Sequence, residues 1–265
     1  MDLGLRERAC IVTGASRGIG RVTAVALARE GAAVLLVGRR EDALADAARA
    51  CAEAGGAAEA LAVDVTSGDA GERVVQACLD RFGRLDVLVN GAGTSTVRPL
   101  EDLSDQDWQD QWELHVMGPM RLMRAAAPEM ARRGWGRIVN VCSSSGKRPS
   151  GTNMAYSVTK AAELSLSRAF ADLFAAQGVL VNSVSPGPIA GDLWLASGGL
   201  ADQQAAARGI TREEVLEGTA SRVPIGRLGT EEEIAEVIVF LCSELASNVA
   251  GAAWSVDGGA VPVII

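Results

Sequence analysis

Tyr156 and Lys160 stand four residues apart, with Ser143 thirteen residues upstream of the tyrosine. On a helix, residues four apart share a face, so Tyr156-Ser157-Val158-Thr159-Lys160 would aim a phenol and an ammonium the same way. A phenol normally titrates near ~10, and a cation within a few ångströms lowers that by roughly 1–3 units, towards the pH where a general acid works best. Ser143 closes the apolar run Ile138-Val139-Asn140-Val141-Cys142, which reads as a buried strand, so its hydroxyl would stand at that strand's carboxyl end. From there it can donate a hydrogen bond to a carbonyl oxygen that is gathering negative charge.

The elements that would position these groups are legible as an alternation. Short β-branched runs (Cys10–Thr13, Val34–Val37, Leu61–Val63, Val87–Val89, Ile138–Cys142, Val179–Val184, Ala253–Val256) are separated by amphipathic, Ala-rich stretches such as Val22–Glu30, Glu41–Ala54 and Ala70–Phe82. Strands apolar on both faces, with helices between them, predict an α/β fold: a doubly wound parallel sheet covered by helices on each side. No repeat, low-complexity tract or linker divides the chain, so one domain over residues 1–265 is expected.

The first strand runs into Thr13-Gly14-Ala15-Ser16-Arg17-Gly18-Ile19-Gly20 and directly on into a helix. A glycine turn there lets backbone N–H groups approach a pyrophosphate at the helix amino end, where the dipole favours anions. The second strand ends in Gly38-Arg39-Arg40, with no acidic residue to hold a ribose 2′-hydroxyl. Arg39, with Arg17 in the glycine turn, suits a 2′-phosphate instead. Asp64 ends the third strand and can meet an adenine edge; Asn90-Gly91-Ala92-Gly93 ends the fourth. Gly14, Arg39, Asp64, Asn90, Ser143 and Pro186-Gly187 thus all fall past the carboxyl ends of strands, the edge where open α/β sheets bind ligands.

Composition narrows the partners. A net charge of −8 argues against a nucleic-acid or membrane-surface binder, both of which favour basic patches. Cys10, Cys51, Cys78, Cys142 and Cys242 have no C-x-x-C spacing and fit buried thiols in a reducing compartment. With no run of 18 apolar residues and no apolar leader, the expectation is a soluble, cytoplasmic protein.

Taken together, Thr13-Gly14-x-x-x-Gly18-Ile19-Gly20, Ser143, Tyr156-x-x-x-Lys160, Pro186-Gly187 and Val256-Asp257-Gly258-Gly259 resemble the short-chain dehydrogenase/reductase family over nearly the whole chain. The resemblance implies a Rossmann-like seven-stranded sheet and hydride transfer between a nicotinamide and a carbonyl or alcohol. Tyr156 would be the acid/base, Lys160 the group that lowers its pKa and holds the nicotinamide ribose, and Ser143 the carbonyl binder. The implied NADP(H) contacts are Gly14, Ser16, Arg17, Gly18, Ile19, Gly20, Arg39, Asp64, Val65, Asn90, Gly91, Ala92, Gly93, Tyr156, Lys160, Pro186, Gly187 and Ile189. Homotetramers are common in the family, and the uncharged tail Val261-Pro262-Val263-Ile264-Ile265 is expected to be buried against a neighbouring subunit. The leading expectation is an NADPH-dependent carbonyl reductase, 3-oxoacyl thioester reductase-like or a general ketoreductase. The alternatives are an alcohol dehydrogenase running the same chemistry in reverse and a cofactor sensor with weak catalysis.

Two positions depart from the family pattern. Its fourth catalytic residue is an Asn, and counting seven from Trp108 reaches His115, the only histidine. That imidazole would either join a proton path from Lys160 or fill the asparagine's space at a helix kink. Gly191 stands where a Thr often bonds the cofactor carboxamide. Residues 191–224 read as a lid, with Gly198-Gly199 as a hinge and Thr211-x-x-Glu214 as a capping box. Leu193 and Trp194 would be either walls of a largely apolar substrate pocket or core contacts. Lys147 and Arg148 would either draw an anionic substrate or remain solvated.

Overall fold

Alternation along the strands sorts their side chains into two apolar layers. In the computed structural model, which describes residues 2–262, the strands are β1 (Ala9–Thr13), β2 (Ala33–Gly38), β3 (Ala58–Ala62), β4 (Val87–Asn90), β5 (Gly136–Val141), β6 (Val179–Pro186) and β7 (Ala253–Val256). All six neighbouring pairs are parallel, in the order β3-β2-β1-β4-β5-β6-β7. The order reverses between β1 and β4, which opens a crevice at their carboxyl ends.

The helices are α1 (Gly18–Arg29), α2 (Glu41–Glu53), α3 (Ala70–Phe82), α4 (Asp105–Trp112), α5 (Gly118–Arg132), α6 (Ser144–Lys147), α7 (Met154–Phe174), α8 (Asp192–Leu195), α9 (Leu200–Arg208), α10 (Arg212–Ala220) and α11 (Glu231–Cys242). Cys10 and Val12, Val34 and Leu36, and Val87 and Val89 face Leu27, Leu44, Ile234 and Ile238 of α1, α2 and α11. Their neighbours Ile11, Leu35, Val37 and Leu88 face Val74, Cys78, Leu122, Met123 and Ala171 of α3, α5 and α7. Burial at roughly 25 cal/mol per Å² on both faces is what holds the strands in a single register.

Thr211 starts α10 with the expected capping box, and Thr230 with Glu233 does the same for α11. Ser104 and Asp107 form a third at α4, which the sequence reading passed over. The third strand begins earlier than its apolar run suggests, because Ala58 and Ala60 pair with Val34 and Leu36. All five cysteines are free and buried. Among the described residues no helix is long and apolar enough to cross a membrane. In the tail, Val261 is half-buried and Pro262 exposed; Val263, Ile264 and Ile265 lie outside the described residues.

Candidate active site

Tyr156 sits in the first turn of α7 and Lys160 one turn further in, so both face the carboxyl end of β5. Ser143 is the N-cap of α6, its Oγ accepting from the Ser145 N–H at 3.0 Å. A hydroxyl holds one proton, so the Ser143 O–H stays available to donate into the cavity. The Lys160 Nζ is buried; it donates to the Val141 carbonyl at 2.8 Å and to the Glu163 carboxylate at 2.7 Å, and lies 5.8 Å from the centre of the Tyr156 ring.

Electrostatics differ here from the expectation. Enclosure by protein pushes the Tyr156 phenol above its ordinary value; Lys160 and the Ser143 hydroxyl pull it down without outweighing that. Burial opposes the Lys160 charge, yet the Glu163 carboxylate beside it wins and holds the ammonium above the usual lysine range. The cation expected to act on the phenol is therefore already paired.

His115 lies in a single π-helical turn, Glu113–Met117, between α4 and α5, where the backbone kinks. Its ring is fully buried, 5.2 Å from the Tyr156 ring and edge-on to it at 84°. Nε2 accepts from the Thr94 N–H at 3.2 Å, and Nδ1 lies 3.2 Å from the Thr159 Oγ1, which itself donates to the Tyr156 carbonyl at 2.9 Å. Those partners assign the Nδ1–H tautomer. Burial, then the Lys160 charge, keeps the ring neutral to well below the usual histidine value. Both nitrogens are occupied and the ring does not line the cavity, so the geometry favours the space-filling role over the relay.

The cavity running from the glycine turn to α8 has a volume of about 740 Å³, within the range of ~300–1,000 Å³ typical of small-molecule sites. Gly14, Ser16, Arg17, Gly18, Ile19, Gly20, Arg39, Asp64, Val65, Gly91, Ala92, Gly93, Ser143, Tyr156, Lys160, Pro186, Gly187 and Ile189 all line it. Gly14 has φ +69°, and a Cβ there would strike the Gly91 carbonyl at 2.6 Å; one on Gly20 would strike the Gly14 carbonyl at 2.5 Å. The β1–α1 turn thus packs backbone against backbone, and Thr13 Oγ1 stitches it to the Gly91 and Ala92 N–H groups at 3.1 and 3.2 Å. Such a cradle fits a pyrophosphate at the start of α1. Arg17 and Arg39 are exposed at its mouth, and neither has an ion-pair or side-chain hydrogen-bond partner among the described residues. Asp64 turns Oδ1 to the Thr66 N–H and hydroxyl at 3.0 and 2.8 Å.

Three expected positions are placed differently. Asn90 is buried below the cavity floor, donating to Asn140 Oδ1 at 2.7 Å, so it supports the site instead of lining it. Lys147 reaches the Ala253 carbonyl at 2.6 Å and Ser255 Oγ at 2.9 Å, which ties α6 to β7; Arg148 is exposed. Neither the anion-drawing nor the fully solvated alternative describes Lys147. The space that a side chain at Gly191 would take is filled by the Glu231 carboxylate, which accepts from the Asp192 N–H at 3.2 Å.

Leu193, Trp194 and Leu200 line the cavity from α8 and α9, and Ser95 and Asn153 line it as well. Asn153 Nδ2 donates to Ser95 Oγ at 3.1 Å, and Gln203 of α9 accepts from the Val97 N–H at 2.8 Å, which tethers the segment over the site. Ser95, Asn153 and Glu163 escaped the sequence reading. Glu163 alone left a signal: an acid one turn past Lys160, at the spacing that puts the two on one helix face.

The sequence model of the enoyl-(acyl carrier protein) reductase family matches residues 14–261. The chain is a short-chain dehydrogenase/reductase. Among its relatives, cis-4-hydroxycyclohexanecarboxylate dehydrogenase of Sinomonas cyclohexanicum is 39% identical over 260 residues, 98% of each chain. A 3-oxoacyl-(acyl-carrier-protein) reductase of Aquifex aeolicus is 31% identical over 260 residues, 98% of this chain and 99% of its own. The crystal structure of L-sorbose reductase from Gluconobacter frateurii, complexed with NADPH and L-sorbose, superposes with a TM-score of 0.93 at 35% identity, covering 100% of both chains. This short-chain dehydrogenase/reductase is accordingly an oxidoreductase of alcohol- or ketone-type groups, with the Rossmann-like sheet of its relatives.

Proposed function

We propose that the protein is an NADPH-dependent carbonyl reductase that converts a ketone to a secondary alcohol. The observation that carries this is the convergence of Ser143, Tyr156 and Lys160 on one cavity with the glycine cradle and two arginines that have no ion-pair partner among the described residues. The nicotinamide, when bound, supplies the hydride. Ser143 donates to the substrate oxygen and so favours the charge that develops there. Tyr156 gives that oxygen its proton and leaves as phenolate beside Lys160. Gly14, Gly18 and Gly20 would seat the pyrophosphate and Arg17 with Arg39 a 2′-phosphate, in keeping with the NADPH present in the sorbose reductase structure. We assign Asp64 and Val65 to the adenine and Pro186, Gly187 and Ile189 to the nicotinamide, a reading supported by their all lining the cavity.

Leu193, Trp194 and Leu200 support a substrate apolar over one side, while Ser95 and Asn153 support a polar substituent on the other. That pairing favours a general ketoreductase over a reductase of acyl thioesters. Oxidation of the alcohol uses the same groups in reverse. We read residues 191–224 as a lid on a single catalytic unit. The five free buried cysteines support a cytoplasmic setting. Exposed Trp112, Val158 and Leu173 on α4 and α7 support assembly with copies of the chain, a homotetramer in this reading.

Purified protein, NADPH and a panel of aliphatic, cyclic and hydroxylated ketones test the proposal. Tyr156→Phe should lower turnover by about 10²–10⁴ while NADPH binding persists. Near wild-type activity in that variant would remove Tyr156 from the mechanism.

A further inference from the structure

Glu163 lies on α7 with Tyr156 and Lys160, and nothing in the mechanism above uses it. It is 1% exposed, lies one turn beyond Lys160, and takes the Lys160 ammonium at 2.7 Å. A buried carboxylate that close to a buried cation offsets part of its charge, so the pair exerts a weaker field on a third group than the cation alone would. The third group is Tyr156, whose ring centre is 5.8 Å from Nζ.

We propose that Glu163 is a positioning residue of the reaction: it takes up the charge of Lys160 and thereby keeps the Tyr156 phenol protonated, loaded for reduction, to higher pH than Lys160 alone would allow. The geometry gives both halves of the effect. Glu163 aims Nζ along a fixed direction, with the Val141 carbonyl as its second acceptor. Its own negative charge also opposes formation of a phenolate nearby, while Lys160 and Ser143 favour one. The other titratable groups around the phenol are Cys142 at the end of β5, buried and uncharged, and His115 of the π turn, neutral as shown above. In reduction the phenol must begin protonated: its O–H bond breaks as the proton moves to the substrate oxygen, and the electron pair stays on the phenolate. A phenol that holds its proton more firmly serves that direction over a wider alkaline range; in oxidation the phenolate is needed first, so the same device delays activity to higher pH.

The sequence allows a direct measurement, because Tyr156 is the only tyrosine. The near-ultraviolet phenolate band therefore titrates this one group, with Tyr156→Phe as the blank. Wild type should ionise above the ordinary tyrosine value, and Glu163→Gln should bring the midpoint down by about one unit or more, the size of a nearby unpaired cation's effect. Glu163→Asp, which keeps the charge, should restore it towards wild type. In pH–rate profiles the alkaline limb of reduction and the acid limb of oxidation should shift down together in Glu163→Gln, with NADPH affinity unchanged. A phenol midpoint that does not move in Glu163→Gln overturns the proposal. Should that variant not fold, Glu163→Met, uncharged and of similar volume, takes its place, and a phenol midpoint that does not move in it overturns the proposal equally. The inference rests on Tyr156 as proton donor. Failure of that assignment would appear as near wild-type turnover in Tyr156→Phe, whereas failure here appears as an unmoved titration.

Discussion

Replacing Arg39 with alanine tests the contact proposed for it, with the 2′-phosphate that distinguishes NADPH from NADH. Arg39 and Arg17 flank the mouth of the glycine cradle, and neither guanidinium is committed to another partner among the described residues. Hydrogen bonds to charged groups contribute about 1.5–3 kcal/mol each. Both arginines are exposed, so water screens them and the lower end applies. About 1.5 kcal/mol corresponds to a loss of roughly tenfold in kcat/KM for NADPH. The double variant Arg17→Ala/Arg39→Ala should lose up to about a hundredfold, less if the two share the phosphate and are not independent. Comparing kcat/KM for NADPH and NADH in wild type, each single variant and the double variant provides the assay. Activity with NADH, which lacks the phosphate, should change little, so the ratio of the two constants should collapse towards one. A ratio unchanged in the double variant, or an equal fall with both cofactors, would refute the assignment of these arginines.

Two other substitutions probe the scaffold. His115 stays neutral in the folded protein well below the ordinary value, while the unfolded chain takes up a proton near ~6.5. Stability from that difference is fully present above about 6.5 and is lost as pH falls, by up to about 1.4 kcal/mol per unit; thermal melts across that range should show a flatter acid limb in His115→Asn, and an identical slope would discard the argument. A Cβ on Gly20 meets the Gly14 carbonyl at 2.5 Å, and both are backbone, so Gly20→Ala should cost about 1–3 kcal/mol and weaken NADPH binding. Gly68, with nothing within 4 Å, is the control; equal denaturant midpoints for the two alanine variants would contradict that packing account.

What the sequence determined by itself was whatever is written in local period and local order. Val34-Leu35-Leu36-Val37 had to be buried on both faces, and a glycine turn directly before a helix had to lie at a strand end. Tyr156 and Lys160 share a face because α-helical geometry places residues four apart together. Once the strands were taken as parallel, Gly14, Arg39, Ser143 and Pro186-Gly187 had to meet along one edge, and all of them line one cavity.

Only the tertiary structure decided what each charge does once there. How strongly Lys160 acts on Tyr156 depends on side-chain placement in a buried region: Nζ lies 2.7 Å from the Glu163 carboxylate and 5.8 Å from the centre of the Tyr156 ring. Lys147 was left to solvent or substrate by its position in the chain, yet β7, more than a hundred residues later, supplies its acceptors. His115 shows the same limit: the spacing from Trp108 located it, but the Thr94 amide and the Thr159 hydroxyl that occupy its nitrogens come from two other segments. Periodicity carries the backbone because hydrogen bonding and apolar burial repeat along the chain. Proton affinities do not repeat; they follow from which partners the completed fold brings within three ångströms and from how much water it leaves beside them.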